Sequence, residues 1–413
     1  MANVIKTLEA GDITRKALAI LHNKLVFCKT INRQYDDRFA RSGAKNGGTL
    51  LIREPNQFTI RSGAIMDTQD VTEATQTLTL ATQRGVDINF SSVELTLSLD
   101  DFADRILTPA MSRLAAEVEK VVIAACYPVV YNHTHTSATD YSTVPTLAGL
   151  LAARAKLAKG LAPMSDRAAI LDALAANGVM TAGYNIFNPA SEISRQYDTG
   201  TLGTVYGIKF YETEMTPVLT TGSRGDTAPT VSTTVGITSG DATITMSGVV
   251  SASTIAAGDI FTIAGVKAVN PETKVAYAHL QQFAVQTAVT VSGTTTTVQV
   301  SPIPVTSGAK QNVSIVTASD AAVVLNLTSG GSGTASTAFV QNLVYHKDAF
   351  TFVTADLEMP KGVDFAAREN FDGISLRTVR QYDIVNDKFP CRIDVLFGQK
   401  TVRPEWACRI SSV

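Results

Sequence analysis

Cysteine is scarce: only Cys28, Cys126, Cys391 and Cys408 occur in 413 residues, and no two form a CxxC pair. That spacing excludes a zinc ribbon and a dithiol redox motif, and leaves four buried thiols in a reducing compartment as the expectation. No apolar run approaches the ~18 residues that cross a bilayer. The opening MANVIKTLEAGDITRK lacks a charged region followed by a long apolar stretch. We therefore expect a soluble protein made and used inside a cell, with no membrane partner. An excess of either charge is missing as well. Thirty-five Lys and Arg against 37 Asp and Glu give a net −2 and a pI near 6.2, which speaks against an electrostatic binder of nucleic acid.

Catalytic signatures are equally absent. There is no GxSxG, HExxH, Walker loop or dinucleotide fingerprint, and the glycines of SGGSG at 329–333 lie in a Ser-rich loop, not between a strand and a helix. No catalytic residue and no cofactor can be named. His133 and His135 flank Thr134 in a polar stretch and could point one way along an extended strand, as metal ligands sometimes do. With no third ligand placed by sequence, they read as two solvated histidines and not as a metal site.

What is present is enough apolar material, 45% of residues, for sizeable cores in two or three domains. The chain is organised around TPAMSRLAAEVEKVVIAACY, Thr108 to Tyr127. Thr108 can cap a helix, Pro109 suits its first turn, and Pro128 stops it. Met111, Leu114, Ala115, Val118, Val121, Val122 and Ala125 form one stripe, with Arg113, Glu117 and Lys120 as ion pairs opposite. Asp12 to Phe27 reads as a shorter amphipathic helix carrying Ile13, Ala17, Ile20, Leu21 and Leu25 on its apolar face. Residues 1–45 hold nine Lys or Arg against four acids, a basic arm of +5 that leaves −7 for the remainder.

From Gly48 to Leu99 the runs GTLLIREP, NQFTIRSG, TQTLTLATQ, GVDINF and VELTLSL alternate at period two and read as a long hairpin ribbon. Thr and Gln alternating with Leu leave no wide apolar face, so the ribbon needs a foreign surface, most simply another copy of the chain. TLAGLLAARAKLAKG reads as a helix. SDRAAILDALAANG reads as a second one, capped by Ser165 or Asp166 and stopped by Gly178. A glycine-punctuated strand follows at Val205 to Tyr211. Between Ser223 and Ser336 only nine of 114 residues are charged while 34 are Ser or Thr, and short aliphatic runs recur between turn residues. This predicts an inserted β domain, a small barrel or sandwich. Strands are expected again at Ala349 to Thr354, Ile374 to Val379 and Cys391 to Phe397.

The tail CRIDVLFGQKTVRPEWACRI, read as strand, tight glycine turn, TxRPE and terminal strand, resembles the closing segment of the coat proteins of short-tailed, scaffold-assisted bacteriophages. The acidic entry SLDDFADRIL, the apical TGTLGTVYGIKFY, the low-charge GDIFTIAGVKAVNPETK and NLVYHKDAFTFVTADLEMPKG are similar to that family's segments in the same order. The resemblance implies an α+β chain with the Hong Kong-type tailed-phage capsid fold and an inserted small β-barrel domain. Its parts would be an N-terminal arm (1–47), an E-loop ribbon with P-domain strands (48–99), a spine helix (100–130), an A-domain (131–222), the insertion (223–336) and a return through A- and P-domains (337–413). It also implies pentamers and hexamers in an icosahedral shell, assembled in the host cytoplasm around a scaffolding protein, with a portal protein and a possible decoration protein as partners. Such a shell encloses packaged double-stranded DNA without reading its sequence.

Two departures stand out. The stretch Thr230 to Asp241 carries only Asp241 as a charge, so a charged loop stapling capsomers together is not expected. No Lys lies between Lys45 and Lys120, so a ribbon lysine cannot form the isopeptide bonds that weld some relatives, and the shell should be non-covalent. Candidate inter-subunit contacts are Arg53, Glu54, Arg61, Asp67, Asp70 and Arg84, with Arg61 and Arg84 meeting Asp100, Asp101 or Asp104 of a neighbour. Candidate scaffold contacts are Arg15, Lys16 and Lys24 on the basic arm. The rival reading is a β-rich surface or carbohydrate-binding module, but residues 223–336 hold only Phe261, Tyr277 and Phe283 as aromatics for stacking on sugars. An unrecognised enzyme is a weaker third.

Overall fold

The computed structural model describes residues 10–33, 49–66, 68–70, 73–91, 106–134, 145–183, 203–223, 226–231, 237–315, 323–325, 336–371 and 374–412. The helices are α1 (Ala10–Lys24), α2 (Phe27–Thr30), α3 (Thr108–Cys126), α4 (Leu147–Lys159) and α5 (Ala173–Gly183). The chain divides into two compact units. One comprises Met1–Ile52, Thr75–Val122 and Thr351–Lys400, the other Arg53–Ala74, Ile123–Phe350 and Thr401–Val413.

The first unit is organised by a five-stranded sheet in which Lys388–Thr401 pairs with Phe350–Ala355, with Ile374–Arg380 and with Thr82–Ser91, and Phe365–Phe371 forms an edge. Thr82–Ser91 runs antiparallel to Lys388–Thr401 without a break, from Thr82 opposite Phe397 to Ser91 opposite Lys388. GVDINF thus belongs to this sheet and not to the hairpin expected from its alternation; among the described residues of the ribbon Thr49–Arg53 and Thr75–Thr79 pair with each other, and NQFTIRSG forms no strand. Gly398 corrects a second expectation. It is no turn but lies inside the long strand, where a Cβ would sit 2.5 Å from the Thr79 carbonyl oxygen. Close backbone approach, and not a bend, is what requires glycine here. Gly398→Ala should therefore lower stability by about 1–3 kcal/mol, read as a shifted urea midpoint at constant slope.

Helix α1 packs on the strands Phe365–Phe371 and Ile374–Arg380. Its buried stripe is Thr14, Ala17, Leu18 and Leu21, continued by Leu25; Ile20 is only half-buried. In α3 the buried positions are Met111, Leu114, Ala115, Val118, Val122, Ile123 and Cys126, while Ala125 is exposed, so the stripe is rotated from the one anticipated. Each fully buried Leu or Val contributes about 1.5–3 kcal/mol. Glu117 turns to Arg84 at 3.6 Å and not to Arg113 or Lys120. The helix passes into a 3-10 turn, Tyr127–Val129, that contains Pro128.

Glu119, in the second half of α3, is buried. Its Oε1 accepts the backbone N–H groups of Val26 and of Phe27, the latter at 2.5 Å. The first turn of α2 thus ends on a carboxylate of α3. Burial raises the Glu119 carboxyl above its usual range, against the lowering pull of these N–H groups and of Lys29.

The second unit contains two seven-stranded sheets. In the first the spatial order is His133–Thr134, Ala407–Ser412, Ala338–His346, Arg167–Leu171, Ile208–Glu212 and Thr204–Val205, with Val218–Thr220 also pairing with Ala338–His346. Its core joins Leu150, Leu157, Ala169, Leu171, Val344 and Ile410 beneath α4 and α5. Arg167–Leu171 is a strand, although its Ala and Leu content predicts helix. All five residues are buried and the strand runs parallel to Ile208–Glu212, where a continuous apolar run is the expected pattern. The cap of α5 is accordingly Asp172, whose Oδ2 accepts the Leu174 N–H at 3.2 Å, and Gly178 lies within the helix.

The other sheet is built from one continuous stretch of chain, Asp226–Val231, Thr243–Val249, Ile260–Val269, Ala276–Val285, Thr295–Ser301, Val313–Ile315 and Val323–Leu325. Val323–Leu325 lies beside Asp226–Val231, so the sheet curls back on itself. Val231, Ile244, Met246, Phe261, Phe283, Val285 and Val298 fill its interior. Phe261 and Phe283 stack on each other with centroids 5.5 Å apart.

Candidate interaction surfaces

The first surface follows from the chain between Thr49–Arg53 and Thr75–Thr79. The side chain of Gln69 bridges the loop by accepting the Thr59 N–H at 2.8 Å and donating to the Thr59 carbonyl at 2.6 Å. At the tip, Arg61 donates to the carbonyls of Gly63 and Ile65. These bonds hold the loop as a ribbon without covering it. Ile60 is 95% and Ile65 88% exposed, and Phe58 and Met66 are open as well. Four large apolar side chains exposed within nine residues of one loop are more than the scattered exposure normal for a soluble surface.

Arg53 pairs with Glu73 at 3.5 Å and Glu54 with Lys310 at 3.8 Å, while Arg61 is held by the tip carbonyls. Asp70 is exposed. Arg84 is not on the ribbon at all but on a sheet strand, facing Glu117. Asp67, Asp100, Asp101 and Asp104 lie outside the described residues, as do His135 and the middle of the stretch Thr230 to Asp241, residues 232–236. On α1, Arg15 reaches Glu369 at 3.7 Å, and Arg15, Lys16 and Lys24 are all exposed.

A second surface was missed from sequence. The tip joining Ile374–Arg380 to Lys388–Thr401 presents Ile384 at 81% and Val385 at 85% exposure, beside Tyr382. Asp383 shapes it by accepting the Asn386 side chain at 2.7 Å and the Val385 N–H at 3.0 Å, and these two bonds, in that order of weight, hold its carboxyl below the usual range. Tyr382 donates to Asp387 at 3.0 Å. The available signal was the apolar pair in QYDIVNDK, where a tight turn is ordinarily polar.

His133 is buried, contrary to the solvated reading, with Nε2 2.7 Å from Ser411 Oγ. Among the described residues no group of three or more His, Cys, Asp or Glu could hold a metal. Cys28, Cys126 and Cys408 are buried and Cys391 is half-buried. Burial pushes Cys126 up to about 12 and Cys391 and Cys408 to about 11, so these three thiols are protonated and poorly nucleophilic at neutral pH.

No curated protein matches the chain. Solved structures it resembles include one of Mycobacterium phage Che8, with 12% identity, 94% of this chain and 90% of that one covered and a TM-score of 0.46. An acidic stable capsid structure of Helicobacter pylori bacteriophage KHP30 gives 11%, 91%, 88% and 0.46, and the capsid of Ralstonia phage GP4 gives 6%, 93%, 87% and 0.44. A family model described as P22 coat protein, gene protein 5, matches residues 13–409. The chain therefore belongs to the P22 coat protein family and is a bacteriophage capsid protein.

Proposed function

We propose that this coat protein assembles as pentamers and hexamers into an icosahedral shell of the Hong Kong type, around a scaffolding protein and later around double-stranded DNA. In this reading residues 1–47 are the arm, 48–99 the ribbon with its sheet strands, 100–130 the spine, 131–222 and 337–413 the two parts of the remaining fold, and 223–336 the inserted domain. The observation that carries it is the ribbon tip, where Phe58, Ile60, Ile65 and Met66 are left uncovered by their own chain. Burying such a tip against a second copy gains roughly 1.5–3 kcal/mol per large apolar side chain, repeated at every subunit contact. Arg15, Lys16 and Lys24 are the residues we assign to scaffold contact, and a portal and a decoration protein complete the set of partners. The rival carbohydrate-binding reading loses two of its three aromatics, since Phe261 and Phe283 stack in the interior of their sheet.

Co-expression with the phage's scaffolding protein tests this. Wild type should sediment as closed shells visible by negative stain, and its subunits should run as unlinked monomers on a denaturing gel. The double variant Ile60→Glu/Ile65→Glu should keep its circular dichroism and urea midpoint but yield no shells, because two charges cannot be buried unpaired at a contact. Shells at wild-type yield from that variant would refute the assignment of the ribbon.

A further inference from the structure

The curled sheet meets the rest of its unit through polar groups. Gln282 exchanges two hydrogen bonds with the His133 backbone, both 3.0 Å, Ser301 Oγ donates to the Val129 carbonyl at 3.0 Å, and Gln286 donates to Pro128 at 3.2 Å. Buried Arg409 donates to the Gly258 carbonyl at 2.9 Å. Beside these, strand Ala276–Val285 lies along α4: Lys156 Nζ donates to Gln282 at 3.2 Å, and Tyr277 Oη to the Lys159 carbonyl at 3.3 Å. Lys159 Nζ stands 3.3 Å from His279 Nδ1 and 5.5 Å from the centre of the Tyr277 ring, which itself stacks on His279 at 5.2 Å.

An ammonium group has hydrogens to give and no lone pair to accept with, so the Lys159 contact requires His279 Nδ1 to be the unprotonated nitrogen. The charges acting on the ring are those of Lys156 and Lys159, both positive. The other cations nearby are directed elsewhere. Arg154 of α4 acts on Arg167, and Lys267 of the neighbouring strand is in register with Leu280 and so projects from the opposite face to His279. We propose that this edge is an acid-labile hinge: a proton on His279 Nδ1 turns the Lys159 hydrogen bond into a cluster of three cations and frees the strand from α4. The direction of titration agrees. Burial first, then Lys156 and Lys159, lower His279 from 6.5 to about 4. A base depressed on docking lends its stability above its free value, here 6.5, and loses it as pH falls toward 4.

Hydrogen–deuterium exchange on the full-length protein tests the hinge. After correction for intrinsic rates, peptides covering 147–159 and 276–286 should exchange on the order of tenfold faster at pH 4.5 than at pH 7, while 243–249 and 260–263 in the sheet interior stay protected. His279→Gln keeps an acceptor for Lys159 but cannot titrate, and should abolish the difference. His279→Arg should show the acid pattern already at pH 7. An unchanged pH response in His279→Gln would overturn the proposal. So would an imidazole of His279 that titrates at 6.5 or above by NMR of the wild-type chain, a measurement that depends on no variant folding.

Discussion

Replacing Asp394 with alanine should lower the stability of the coat protein by about 3–5 kcal/mol, the range for removing one partner of a buried ion pair. Asp394 is buried in the middle of the five-stranded sheet. Its Oδ2 accepts from Arg377 Nη2 at 2.8 Å and from Arg392 Nε at 2.7 Å. The two arginines are not equivalent. Arg392 is mostly in water and can turn to it, whereas Arg377 is largely enclosed and its Nε already lacks a partner, so removing the carboxylate strands a buried cation. The paired Asp394→Leu/Arg377→Met variant removes both charges and should cost less than half as much as Asp394→Ala, because the desolvation of both ions disappears with the attraction between them. Urea unfolding of the unassembled subunit decides. A double variant as damaged as the single one would show that the site serves packing, not charge. The carboxylate owes its space to Gly85, since a Cβ there would stand 2.5 Å from Asp394 Oδ1 and 2.6 Å from the Ile393 carbonyl oxygen.

The second large effect is expected at Glu119. Glu119→Ala removes the acceptor of the Val26 and Phe27 N–H groups, and unmet buried donors cost about 1–3 kcal/mol each. The loss should be local, with protease cutting near Lys24 and Lys29 long before the sheets unfold. Glu119→Gln behaves differently because it offers a carbonyl oxygen without a buried charge. The sign follows from the raised carboxyl. An acid whose folded-state value lies above its free value of 4.5 gives its full stabilisation below 4.5 and loses it as pH climbs through the folded value. The stability difference between wild type and Glu119→Gln should therefore shift in favour of Gln between pH 4.5 and pH 7. Parallel urea curves at the two pH values would show instead that the backbone donors, and not burial, govern this carboxylate.

Much of the architecture could be read from the chain because period and punctuation agreed with burial. The long helix, α4 and the strands of the low-charge sheet each follow a local rule. Where the reading failed, the deciding partner lay far away in sequence. Ala168 and Ala169 favour helix in isolation, but strands on both sides place them at the centre of a sheet. Gly398 looked like a turn because nothing nearby announces Thr79 above it. Glu119 looked like one more charge on a helix, and only the approach of α2 makes it a buried acceptor. The pairing of Thr49–Arg53 with Thr75–Thr79 was legible from alternation, whereas the contacts of Arg53 with Glu73, Glu54 with Lys310 and Arg61 with the loop carbonyls were not. The tip at Ile384 and Val385 went unseen because exposed apolar side chains in a turn follow no folding rule.

The pairing of Thr82–Ser91 with Lys388–Thr401 also orders events during synthesis. Roughly three hundred residues must emerge from the ribosome before that strand meets its partner, so until then Thr82–Ser91 has no sheet to join. The curled sheet between Asp226 and Leu325 draws only on neighbouring sequence and has no such delay. Late closure confines the long-lived unpaired strand to the sheet that joins both halves of the polypeptide.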